Sequence, residues 1–179
     1  MNTDANTDAS TDTDTNTNRD TNTNAITLGF VCVQNAGRSQ MATAFAEAER
    51  DRRGLGDAVE IITGGTRPAD SVHDVVIRVM DEAGFDLSGR MPRAVSDAEL
   101  AACDVVATMG CSTLALDTET ELRDWALSDP DDADIEDARG IRDTIEDNVE
   151  ALFDDVEAAM GGETETGTEA GGEADTTRE

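Results

Sequence analysis

Lysine and tyrosine are absent from this 179-residue chain, and histidine and tryptophan occur once each, as His73 and Trp125. All 13 basic residues are therefore arginines, set against 41 Asp and Glu for a formal charge of −28. Such a surface repels a phosphate backbone and an anionic bilayer, so neither nucleic acid nor a membrane is expected as a partner. No run approaches the length of a membrane span, and the N-terminus has neither a basic start nor an apolar stretch, so no span or secretion leader is expected. One histidine and three separated cysteines lack the spacing of a metal cluster; no metal and no cofactor is expected. Three cysteines also make a poor disulfide framework and suggest catalytic or redox use. Acidity without lysine suits concentrated salt, where screening removes most of the self-repulsion. A soluble protein of an extreme halophile's cytoplasm would have this composition.

What the chain does contain divides it into three. Residues 1–24 are almost wholly Thr, Asn, Asp and Ala, and residues 161–179 are mainly Gly, Glu, Thr and Ala. Neither tail holds enough apolar surface to offset the entropy of ordering it, and both are expected to be disordered. Residues 25–160 carry clear apolar periodicity and are long enough for one domain with one core.

Within that domain, Ile26–Val33 reads as a buried strand and Gln40–Arg53 as a helix. Ala58–Thr63 reads as a second strand closed by Gly64-Gly65. Apolar residues at 72, 75, 76, 79, 80 and 83 follow the helical period, and Gly84 stops it. Ser96 and Glu99 have the spacing of a capping box for a short helix to about Ala102. Asp104–Met109 and Glu121–Leu127 read as the third and fourth strands. Ile141, Ile145, Val149, Leu152, Phe153 and Val156 mark one face of a long final helix.

Alternating strands and helices predict an α/β fold: a single-domain, doubly wound, four-stranded parallel sheet with helices on both faces and an anion-binding loop after the first strand. Ligands of such sheets bind beyond the carboxyl ends of the strands. That edge would gather three segments: Cys32–Ser39, Gly110-Cys111 and Ser128-Asp129-Pro130.

The first of these is the most telling. A buried strand ends in Cys32, Arg38 follows six positions later between Gly37 and Ser39, and a helix starts at once. Backbone N–H groups of Val33, Gln34, Asn35, Ala36, Gly37 and Ser39, with the positive end of the helix, can surround a tetrahedral oxyanion. A cysteine in such a field is favoured as thiolate, the nucleophilic form. Arg38 offers a planar fork to two equatorial oxygens of phosphate or arsenate.

These motifs resemble the low-molecular-weight protein tyrosine phosphatase superfamily and, within it, the thioredoxin-coupled arsenate reductases. The likeness covers nearly all of residues 25–160. Phe30–Ala42 is similar to the family's phosphate loop, and its Ser-Gln-Met-Ala ending is similar to the reductase branch. Gly65–Ala69, Gly84–Gly89 and Thr108–Cys111 look like further reductase signatures, and Asp124–Pro130 like the segment bearing the catalytic aspartate. The resemblance implies Cys32 as nucleophile, Arg38 as clamp, Ser39 as a hydroxyl bonded to the thiolate, Asn35 as the residue shaping the loop and Asp129 as general acid. It also implies that Cys111 attacks the arsenylated Cys32, releasing arsenite and leaving a disulfide. The family's usual third cysteine is missing from Ser112–Asp117. Cys103 precedes the third strand, roughly 20 Å from Cys111 at 3.3 Å per residue, and reads as core. An external thiol or thioredoxin-like protein would then reduce the disulfide directly. The alternative is a phosphomonoesterase working through a cysteinyl-phosphate; Asp131-Asp132 beside Pro130, where a phosphotyrosine phosphatase carries aromatics, speak for small oxyanions instead. His73, in the first turn of its helix, reads as structural.

Overall fold

A computed structural model describes residues 25–111 and 119–161; the tails expected at 1–24 and beyond Gly161 lie outside the described residues. Four strands, β1 (Ile26–Cys32), β2 (Val59–Gly65), β3 (Val105–Met109) and β4 (Glu121–Asp124), form one parallel sheet in the order β2-β1-β3-β4. β1 lies in the middle, and all five residues from Leu28 to Cys32 are buried. That explains why its sequence is apolar throughout rather than alternating.

The two faces of β1 feed two cores. Leu28, Phe30 and Cys32 pack with helices α1 (Arg38–Arg52), α2 (Asp74–Glu82) and α4 (Ile135–Gly161). Val31 packs on the other side with Leu100 of α3 (Asp97–Ala101), Cys103, Val106 and Cys111. The expected helices on both faces are present, unequally thick. No described helix is long and apolar enough to cross a membrane.

Local signals behave as their chemistry dictates. Ser96 and Glu99 close a reciprocal capping box at the start of α3. Gly84, at φ +90°, ends α2 in a Schellman turn, with Phe85 N donating to Met80 O and Gly84 N to Asp81 O. Phe85 then meets Phe45 of α1 edge-on at 5.1 Å.

Two elements are shorter than the periodicity predicts. α2 starts at Asp74 because His73 is extended (ψ 136°) and its N–H donates to Ala36 O, outside the helix. β4 ends at Asp124 instead of Leu127 because it is an edge strand whose partner, β3, ends soon after; Trp125 N still reaches Thr108 O, and the chain then turns across the sheet edge. α4 runs one residue past the expected boundary, to Gly161.

Candidate active site

Cys32 is the last residue of β1, flush with Gly65 on β2 and Met109 on β3. The chain then loops through residues 33–37 and enters α1 at Arg38, where Gly37 O accepts from Gln40 N and Met41 N. A strap after β2 takes up the loop's carbonyls. Thr66 N donates to Cys32 O, Arg67 N to Val33 O, Ala69 N to Gln34 O and His73 N to Ala36 O. With its carbonyls committed outward, the loop can leave N–H groups for an anion. Gly65 makes this approach possible, since a Cβ there would lie 2.7 Å from Val33 O.

Asn35 fixes the loop's shape. It adopts φ +51°, the one positive φ of a non-glycine among the described residues. Its side-chain amide is fully used. Nδ2 donates to Ser39 Oγ at 2.8 Å and Thr63 Oγ1 at 2.9 Å, while Oδ1 accepts from Gln40 Nε2 at 3.1 Å and Arg93 N at 3.0 Å. Four bonds from three elements hold a conformation that would otherwise cost on the order of 1 kcal/mol.

The same amide orients Ser39. The Ser39 hydroxyl lies 2.9 Å from Cys32 Sγ and already accepts from Asn35, so its proton is free to point at the sulfur. Asn35 N donates to that sulfur as well, at 3.2 Å. Two donors converging on one sulfur suit a thiolate nucleophile.

Arg38 is buried, yet its guanidinium spans the sheet edge. Nη1 donates to Leu127 O at 3.0 Å and Nη2 to Asp129 Oδ2 at 2.7 Å. Gly110 (φ +78°) lies beneath it; a Cβ at that position would sit 2.6 Å from Nη1. Pro130 is buried against Gly37, where a Cβ would lie 2.8 Å from Pro130 Cγ. Asp129 itself is half exposed, and its second oxygen accepts from Asp131 N at 3.2 Å.

Cys111 follows β3 and points at the backbone just before Cys32, with Sγ 3.5 Å from Val31 O. Burial pushes its thiol above the usual range. Cys103, at the far end of β3, donates to Glu99 O and is pushed up to about 11, mainly by burial and then by Asp104. It packs in the core on the α3 side of the sheet.

The structure thus brings Cys32, Asn35, Arg38, Ser39, Cys111 and Asp129 to one edge, and leaves Cys103 outside it. Val33 and Gln34 are half-buried, and Ala36 and Gly37 are buried in the loop. Three contributors escape sequence reasoning, Gln40, Thr63 and Arg93, and Gly110, expected at this edge, takes a role beneath Arg38 that the sequence did not mark. Gln40, Thr63 and Arg93 act through hydrogen bonds to Asn35 and Gly110 through a missing Cβ, none of which any periodicity marks.

The model of the family described as low molecular weight phosphotyrosine protein phosphatase matches residues 27–161. A protein of Halobacterium salinarum named "Putative arsenate reductase" is 67% identical over 128 residues, covering 71% of this chain and 90% of that one. A "Glutaredoxin arsenate reductase" of Synechocystis sp. is 32% identical over 128 residues, covering 69% and 93%. Among solved structures, "An arsenate reductase in the phosphate binding state" superposes with TM-score 0.61 at 29% identity, covering 71% of this chain and 95% of that one.

Proposed function

We propose that this chain, which belongs to the low molecular weight phosphotyrosine protein phosphatase family, acts within it as an arsenate reductase that uses two cysteines. Arsenate sits in the Cys32–Ser39 loop with two oxygens on Arg38. The Cys32 thiolate attacks arsenic, and an oxygen departs as water with a proton from Asp129. Cys111, as thiolate, then attacks Cys32 Sγ. The As–S electron pair goes to arsenic, which falls from As(V) to As(III) and leaves as arsenite. The two sulfurs, each one electron poorer, remain as a disulfide, and an external thiol or a thioredoxin- or glutaredoxin-like protein returns the two electrons.

One observation favours this over hydrolysis: the Cys111 thiol lies against the carbonyl of Val31, the residue before the nucleophile. A phosphomonoesterase has no use for a thiol there. The names of the similar proteins from Halobacterium salinarum and Synechocystis point the same way. Exposed acids at Asp131 and Asp132 further disfavour bulky acidic phosphopeptides.

The test is arsenite formation from arsenate in molar KCl with dithiothreitol. Wild type should release arsenite stoichiometrically with dithiol oxidation, and Cys32→Ser should release none. A wild type that hydrolyses para-nitrophenyl phosphate but makes no arsenite would establish the phosphatase reading instead.

A further inference from the structure

We propose that His73 is a positioning residue for the acid loop, holding Asp129 over the oxyanion cradle through Asp131. This rests on the reading of Asp129 as general acid. His73 caps α2, and its N–H ties the helix to Ala36 O in the cradle at 2.9 Å. Its ring reaches the other way, with Nδ1 3.0 Å from Asp131 Oδ1. Asp131 N in turn donates to Asp129 Oδ1, and the other oxygen of Asp129 meets Arg38. Pro130, between the two acids, is buried, and Gly37 lies against both Pro130 and the His73 ring.

The result is a closed ring of contacts: cradle, α2, Asp131, Asp129, Arg38 and back to the cradle. Arg38 cannot hold Asp129 throughout the reaction, because its fork is also the group that must bind the oxyanion. When the fork turns to the substrate, the Asp131 N–H remains as the described contact on Asp129. The Asp131 side chain is half exposed and meets the His73 ring. Without that anchor the acid loop loses its lateral reference to the cradle. An acid displaced by about 1 Å transfers its proton poorly.

Donation from Nδ1 to a carboxylate requires the proton on Nδ1, in either the neutral or the charged ring. The titratable groups around the ring are Asp131 from the acid loop and Asp74 from its own helix; the cradle faces it with backbone at Ala36 and Gly37.

The experiment compares arsenate reduction by wild type, His73→Phe, His73→Asn, Asp131→Ala, the His73→Phe/Asp131→Ala double variant and Asp129→Asn in molar KCl with excess dithiothreitol. His73→Phe keeps a ring without the donor, His73→Asn restores an N–H near the Nδ1 position, and Asp131→Ala removes the acceptor while leaving the helix cap untouched. His73→Phe and Asp131→Ala should each lower kcat roughly tenfold, the double variant no further, with arsenate KM and phosphate inhibition within about twofold of wild type. His73→Asn should recover most of the loss.

Full kcat in His73→Phe, a loss shared equally by KM and phosphate inhibition, or no recovery in His73→Asn would each overturn the proposal. Asp129→Asn separates the two readings. If it retains full kcat, the general-acid assignment fails; if it is inactive while His73→Phe is not, only the tether fails.

Discussion

Arg38 holds Asp129 across the mouth of the cradle, with Nη2 2.7 Å from Oδ2. On the proposed function, the clamp for the substrate anion and the acid for its departing oxygen therefore occupy each other. In the proposed reductase an arriving oxyanion must take the guanidinium from the carboxylate, which releases Asp129 Oδ2 from Arg38. On that reading, one side chain couples substrate binding to release of the acid.

Substituting Asp129 should separate those two effects. Asp129→Ala is expected to lower kcat by roughly a hundredfold or more, the usual worth of a positioned general acid. Inorganic phosphate should nevertheless bind as tightly or more tightly, because Arg38 no longer has a competing partner. Calorimetric titration with phosphate alongside arsenite release measures both; weaker phosphate binding with unchanged turnover would contradict the coupling.

Gly110 should tolerate no side chain. Gly110→Ala places a Cβ 2.6 Å from Arg38 Nη1 at a φ of +78°, so both the backbone and the clamp are strained. A fall in kcat/KM of about tenfold or more is expected, with the main effect on KM for arsenate since binding is what Arg38 supplies. A circular-dichroism melt within a few degrees of wild type would show that the fold survives.

The three thiols should differ sharply in reactivity. Burial pushes Cys111 above the usual thiol range and Cys103 to about 11, so neither is appreciably ionised at neutral pH. Iodoacetamide at pH 7 should label Cys32 first in the native protein. Labelling of Cys111 should rise with pH across the alkaline range, and Cys103 should follow only near pH 11 or on unfolding. The same sign applies to catalysis: disulfide formation, followed by mass spectrometry after one turnover, should accelerate as pH rises through 8 and 9. A flat profile would mean that deprotonation of Cys111 does not limit the step.

The fold was largely legible because its signals are local. An all-apolar β1, the capping box at Ser96 and the stop at Gly84 each belong to one stretch of chain. The cradle was legible for the same reason, with Cys32, Asn35, Arg38 and Ser39 lying within eight consecutive residues. Long-range dependencies were not. Asn35 is held by Thr63 and Arg93, from two other segments. Arg38 needs the missing side chain of Gly110, and His73 looked structural because its partner lies on a loop far along the chain. The early end of β4 and late start of α2 have a common origin, since in both places the backbone turns to serve the cradle edge.

Acidity should make the fold depend on salt. With a formal charge of −28, self-repulsion is relieved only when the Debye length falls to a few ångströms, about 3 Å at 1 M. Near-UV circular dichroism of the Trp125–Phe30 pair, whose rings sit 5.9 Å apart, should report tertiary packing in molar KCl and lose it on dilution. An intact spectrum in dilute buffer would show that the charge is carried without screening.

The central claim is that Cys111 is a redox partner of Cys32, and the most direct measurement is arsenite release by wild type and Cys111→Ser, with para-nitrophenyl phosphate hydrolysis in parallel. The account predicts that Cys111→Ser loses arsenite release and keeps phosphate hydrolysis, because the cradle and Asp129 are untouched. Undiminished arsenite release by Cys111→Ser would contradict it and leave Cys111 as a packing residue behind β1.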